Sequence, residues 1–188
     1  MIQKTVRWLD NLYGIELVFP SGLTRLNPYG MDIFISDGII NKIETNPDIL
    51  TREDYTISDI FTMYGSPTQI MIRAVGISMI GSEGYFNIAL FYGNKGFMAV
   101  FNGTNALGKV VYICPDSDIG THGTWLFWSP KNPVTFEEAA ETTRLIDPLI
   151  NQVFLPLEKA TGMTIEDFYN KYKDPANKYY CFDMPATE

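Results

Sequence analysis

The sequence predicts an α+β fold: two modules, each a helix followed by an antiparallel β-meander, forming a shared or adjacent sheet, with a C-terminal helical extension. Three observations predict it. A phrase is written twice, as T-I-S-D-I-F-T-M-Y-G-S-P at residues 56–67 and as T-I-E-D-F-Y-N-K-Y-K-D-P at residues 164–175, and an internal repeat describes construction before chemistry. Strand-like runs separated by turn signals follow the first copy and also follow Gly14. From Thr135 onward, apolar residues recur at helical spacing instead.

The first module spans residues 1–48. Thr5-Val6 leads to Leu12-Tyr13-Gly14 much as Thr56-Ile57 leads to Met63-Tyr64-Gly65, which predicts an opening helix. Strands are expected at residues 15–19, 32–36 and 39–45, and Asp37-Gly38 between the last two is a two-residue hairpin signal. Residues 46–54, with Asn-Pro-Asp and Thr-Arg-Glu-Asp, have the chemistry of a connector.

The second module spans residues 49–130. Thr56 and Asp59 have the spacing of a capping box, in which each side chain bonds an orphan backbone N–H at the helix start. Ile60, Phe61 and Tyr64 recur at helical spacing, Gly65 supplies a C-terminal cap, and Pro67 prevents continuation. Strands are expected at residues 69–75, 86–92, 97–102, 109–114 and 124–128, with Gly93-Asn94-Lys95-Gly96 as the middle turn. Residues 103–108 and 115–123 read as loops.

The third unit spans residues 131–188. Thr135 and Glu138 form another capping box for a helix running towards Asp147. Asp147-Pro148 can begin a second helix with Leu149, Ile150, Val153, Phe154 and Leu157 on its apolar side, kinked or shortened at Pro156. The repeated Thr164 and Asp167 open the last helix, and residues 179–182 suit a closing strand. Helix capping and helix termination explain each half of the repeated phrase. It is therefore architectural punctuation and not an active-site signature.

Composition excludes more than it names. Hydrophobic residues make up 46% of the 188, enough for a sizeable core, so global disorder is not expected. A formal charge of -8, with 14 scattered basic residues, disfavours nucleic acid, whose phosphates demand clustered Lys and Arg. No run of about 18 apolar residues is present to span a membrane. The start, M-I-Q-K-T-V-R-W-L, lacks the apolar core of a signal peptide. The protein thus stays in the cytosol, or a leader has been removed ahead of Met1. Cys114 and Cys181 leave two states open: a disulfide in an oxidising compartment, or two half-buried thiols, the plainer expectation because sequence does not supply the geometry a bond requires.

No constellation of catalytic residues stands out. His122, within Gly120-Thr121-His122-Gly123, is the sole histidine and reads as a surface-loop residue; a catalytic role would need a nucleophile or carboxylate beside it. Asp116-Ser117-Asp118 resembles part of a Ca²⁺ loop but lacks its twelve-residue spacing, and a polar turn after Pro115 explains it. One His and two distant Cys match no zinc pattern. Glu137, Glu138 and Glu141 sit where a helix dipole favours carboxylates. There is no phosphate-binding glycine loop and no nucleophile elbow. No cofactor, metal or catalytic residue is expected.

The aromatic residues offer the best candidate surface. Alternation in a strand sends Trp125 and Phe127 to one face, and Leu126 and Trp128 to the other. Helices from 135–173 covering the sheet would bury both sets. If one set stays exposed, it marks a contact surface, and Tyr92, Trp125, Phe127 and Trp128 are its candidate binding residues.

The phrase Tyr64-Gly65-Ser66-Pro67-Thr68-Gln69-Ile70, after a short capped helix and before a meander, resembles the helix-to-sheet junction of SmpA/OmlA-type outer-membrane assembly lipoproteins. It is also similar to the tandem modules of β-lactamase inhibitory proteins. The hairpin at residues 33–45, with Ile39-Ile40-Asn41-Lys42-Ile43, is similar to a strand of such modules, and of uncharacterised secreted lipoproteins from Chloroflexi-like bacteria. The resemblance covers about residues 5–130. It implies a non-enzymatic, extracytoplasmic, envelope-associated domain that binds another protein or acts as a scaffold, lipid-anchored only if a leader precedes Met1. Two alternatives accompany it: a small-molecule or hydrolytic site near His122, Asp116 and Asp118, and a cytosolic immunity or inhibitor protein.

Overall fold

A computed structural model describes residues 4–6, 17–19, 25–26, 31–36, 39–45, 56–75, 85–104, 106–107, 110–115, 122–142, 153–177 and 179–185. The fold is α+β, as the sequence predicts, and its strands are joined in antiparallel pairs. Strands β1 (Lys4–Val6) and β2 (Leu17–Phe19) pair as a separate ribbon. Strands β3 (Arg25–Leu26), β4 (Met31–Ser36), β5 (Ile39–Thr45), β6 (Gln69–Val75), β7 (Tyr85–Tyr92), β8 (Phe97–Thr104), β11 (His122–Trp128) and β12 (Leu155–Pro156) form an eight-stranded sheet in the order β12-β6-β7-β8-β11-β5-β4-β3. That sheet draws strands from all three expected units. The third sheet has the order β13-β10-β9, from β9 (Ala106–Leu107), β10 (Val110–Ile113) and β13 (Phe182–Pro185).

The repeated phrase builds two of the four α-helices among the described residues: α1 (Ile57–Tyr64), α2 (Phe136–Thr142), α3 (Leu157–Thr161) and α4 (Ile165–Tyr172). Both copies form the expected capping box. Thr56 and Thr164 accept from the backbone N–H of Asp59 and Asp167, whose carboxylates accept in return from the Thr backbone N–H. The two copies also pack on each other, with Phe61 edge-on to Phe168 at 6.2 Å and to Tyr169 at 5.2 Å. At α2, the Thr135 N–H donates to Glu138 at 2.7 Å, and the Glu138 N–H donates to the Thr135 hydroxyl at 3.2 Å, completing the third box.

These caps carry a prediction. Thr56→Ala and Thr164→Ala should each lower stability by about 1 kcal/mol in urea unfolding, because each strips acceptors from a helix start. The Thr164 hydroxyl and N–H hold the Asp167 carboxyl below its ordinary pKa. A depressed carboxyl contributes stability above its unfolded pKa and loses it as pH falls through the folded value. The Thr164→Ala penalty should therefore shrink on acidification through the carboxylate range, and a penalty independent of pH would refute this linkage.

Both faces of the large sheet are covered. On one face Ile70, Ile72, Phe86, Ile88, Leu90, Tyr92, Phe97 and Phe101 pack with Ile57, Ile60 and Phe61 of α1, Leu157 of α3, and Phe168 and Tyr172 of α4. Val111, Ile113 and Met184 bring the three-stranded sheet into the same cluster. On the other face Ala89, Phe91, Met98, Val100, Leu126 and Trp128 pack with Phe136, Ala139 and Ala140 of α2, and with Phe154. Gly96, at φ 68°, closes the β7–β8 hairpin where a Cβ would collide with the Trp128 carbonyl oxygen, so glycine is required twice over.

Three expectations change. The start of the expected opening helix is strand: Thr5 and Val6, both β-branched, pair with Val18 and Leu17. The rest of that helix, and residues 143–152 with the expected Asp147-Pro148 helix start, lie outside the described residues. Leu155-Pro156 is strand and not helix, because proline lacks a ladder donor but is tolerated on the two-residue edge β12, and α3 starts just after it. The closing strand begins at Phe182 and leaves Tyr179 and Tyr180 exposed before it. No helix among the described residues is long and apolar enough to cross a membrane.

Candidate functional site

The four aromatics expected to form a binding surface are core residues. Tyr92 is 0% exposed, Trp125 3%, Phe127 4% and Trp128 5%. Alternation does send Trp125 and Phe127 to one face and Trp128 to the other, but α1 and α4 help cover the first and α2 the second. Phe97 stacks between Tyr92 at 5.7 Å and Phe127 at 4.8 Å, with Trp125 edge-on at 5.8 Å. The Tyr92 hydroxyl donates to the Gly65 carbonyl at 2.8 Å and ties the C-terminus of α1 to the sheet. Lys95 Nζ donates to the Tyr64 carbonyl, placing a cation at the negative end of that helix. Trp128 Nε1 is buried and makes no hydrogen bond among the described residues.

Burial, and after it the neighbouring Tyr169 and Tyr64, raise the Tyr92 phenol above its ordinary pKa. The neutral form is thus favoured in the fold. Its contribution is complete below the unfolded value near 10 and is lost as pH rises from there towards the folded value. Stability should fall with pH above about 10, and Tyr92→Phe should flatten that alkaline slope. An unchanged slope in the variant would exclude Tyr92 as its source.

One polar row crosses the face that carries α2. In register, Arg73 of β6 faces Asn87 of β7, Asn87 faces Asn102 of β8, and Asn102 faces position 122 of β11. Arg73 Nε and Nη2 donate to Asn87 Oδ1 at 2.8 and 2.6 Å, and Asn87 Nδ2 donates to Asn102 Oδ1. The guanidinium lies 4.9 Å from the Phe154 ring centroid and 5.5 Å from that of Tyr85. Desolvation lowers the Arg73 pKa, while Tyr85 opposes the shift. This row was the missed feature of the sequence, although its signal was present: single polar residues interrupt the same face of two apolar strands. His122 is a strand residue and not a loop residue, whereas Asp116 and Asp118 lie outside the described residues. The proposed triad of His122, Asp116 and Asp118 is therefore located only at its histidine.

The other distinctive place is the junction of β10 and β13. Ile113 pairs with Phe182, so Cys114 and Cys181 stand opposite each other one step further on, with Cα atoms 4.2 Å apart, and they form a disulfide. The two thiols expected from sequence are thus bonded, because the ladder brings together residues 67 apart in the chain. Directly before Cys181, Tyr179 and Tyr180 are 63% and 57% exposed. Their backbone is fixed nonetheless. The Tyr180 N–H donates to the Asn177 carbonyl at 3.0 Å, and the Tyr172 hydroxyl donates to the Tyr180 carbonyl at 2.9 Å. Lys171 Nζ lies 5.3 Å from the Tyr180 ring centroid.

Among the described residues no group of three or more His, Cys, Asp or Glu side chains is placed to hold a metal ion. Comparison with protein-family models, curated proteins and solved structures finds no match to this chain.

Proposed function

We propose that the protein is an extracytoplasmic, envelope-associated binding or scaffold domain that works without catalysis and engages another protein through Tyr179 and Tyr180. The observation that carries this reading is the exposure of two adjacent tyrosines on a backbone held by two hydrogen bonds and a disulfide. Tyrosine supplies large amphipathic contact area at low entropic cost, and a fixed backbone removes part of the ordering penalty of association. The disulfide favours an oxidising compartment, and with it this reading over a cytosolic inhibitor. The acidic charge is consistent with a protein partner and not nucleic acid.

The test places a photo-crosslinking amino acid at position 179 or 180 in the native host, with position 63, exposed on α1, as a control. A specific adduct from the tyrosine positions alone is expected. The purified partner should then bind the Tyr179→Ala/Tyr180→Ala double variant at least about tenfold more weakly. Wild-type affinity in that variant would reject the surface.

The polar row favours a second reading, a small-molecule site at that end of the sheet. Asn102→Leu would test it: a metabolite-panel thermal shift present in the wild type and lost in the variant supports it, and no shift in either rejects it.

A further inference from the structure

We propose that the Cys114–Cys181 bond is a redox latch on the C-terminal strand, opened by a dithiol whose attack enters at Cys181. The two sulfurs belong to unlike surroundings: Cys114 is buried beside Ile113 in the core, whereas Cys181 is exposed. Thiol–disulfide exchange requires a thiolate to reach one sulfur, so access decides which is attacked. The strand beyond the bond is lightly held. β13 pairs with β10 over four residues, Val110–Ile113 against Phe182–Pro185, and contributes Met184 to the core and Phe182 to the edge of Phe168 at 6.2 Å. Neither β13 nor β10 belongs to the eight-stranded sheet, so the C-terminal segment can detach while that sheet stays paired.

The chemistry balances with a dithiol reductant. One of its thiolates attacks Cys181 Sγ, the S–S electron pair departs with Cys114, and Cys114 takes up a proton. The resulting mixed disulfide is resolved by the second thiol of the reductant, which releases Cys181. The protein cystine gains two electrons and two protons, and the dithiol becomes a disulfide. Opening the latch frees Tyr179 and Tyr180 from one of their three fixed points. The consequence for binding rests on the proposed tyrosine contact, but the latch itself does not.

Two measurements on the full chain test it. In the folded single variants, iodoacetamide should modify Cys181 of Cys114→Ser at least tenfold faster than Cys114 of Cys181→Ser. In the wild type reduced with dithiothreitol, hydrogen exchange should accelerate in residues 179–185 while residues 85–104 keep their protection. Equal alkylation rates would overturn entry at Cys181. Unchanged exchange at 179–185, or loss of protection in both segments together, would overturn the latch. If exchange at 179–185 accelerates but no specific adduct forms from position 179 or 180, the latch stands and the tyrosine contact reading falls.

Discussion

Serine at Cys114 and Cys181 together should lower the unfolding free energy by about 4 kcal/mol, the effect of reopening a loop of this length in the unfolded chain. The bond joins positions 67 residues apart, and the segment between them contains β11, α2, α3 and α4. Without the cross-link, the unfolded ensemble recovers the entropy of that whole segment, whereas the eight-stranded sheet stays paired. In urea the midpoint should drop by about 2 M for a domain of this size, with a steeper slope because the unlinked unfolded chain exposes more surface. A melting experiment should show a fall of roughly 8–16 °C. The remaining stability should keep the eight-stranded sheet folded, since native domains commonly hold about 5–15 kcal/mol. A loss below about 1 kcal/mol would mean that the unfolded chain keeps the two cysteines close without the bond.

The parts legible in the sequence were those decided locally. Thr56 with Asp59, Thr135 with Glu138 and Thr164 with Asp167 each signal a helix start through contacts three residues apart, and all three boxes form. β5 and β6 appear at the bounds the alternation gives, and β7 differs by one residue. What stayed hidden depended on distant segments. Alternation assigns Trp125 and Trp128 to opposite faces, but nothing in residues 124–128 says that α1, α4 and α2 lie over them. His122 reads as loop because glycines flank it, yet pairing with β8 draws His122 and Gly123 into β11 opposite Asn102 and Phe101. The Arg73–Asn87–Asn102 row needs the register of three strands before its members can be seen as neighbours. The disulfide is the extreme case, since its partners meet only after β10 and β13 have paired. The candidate contact surface moved for the same reason, from large aromatics inside a strand to two tyrosines just outside one.

Phe97→Ala should cost about 4 kcal/mol, the upper range for deletion of a large core side chain. Phe97 is 1% exposed, and its ring meets four others: Tyr64 stacked at 4.6 Å, Phe127 at 4.8 Å, Tyr92 at 5.7 Å, and Trp125 edge-on at 5.8 Å. Those partners come from α1, β7 and β11, so the cavity would open where the first copy of the repeated phrase meets the sheet. The partners cannot close it readily: the Tyr92 hydroxyl is fixed on Gly65, and Trp125 is also edge-on to Phe127 at 6.2 Å. Phe97→Leu keeps most of the volume and should cost less than about 1.5 kcal/mol. Tyr179→Ala and Tyr180→Ala should change stability by no more than about 0.5 kcal/mol each, since both rings are exposed. Urea unfolding of the four variants separates the two roles an aromatic plays in this fold. A Phe97→Ala cost no larger than that of the tyrosine variants would mean that the stacked rings do not hold α1 against the sheet. The large expected difference follows from position alone, because an aromatic ring stabilises this fold only where other elements close over it.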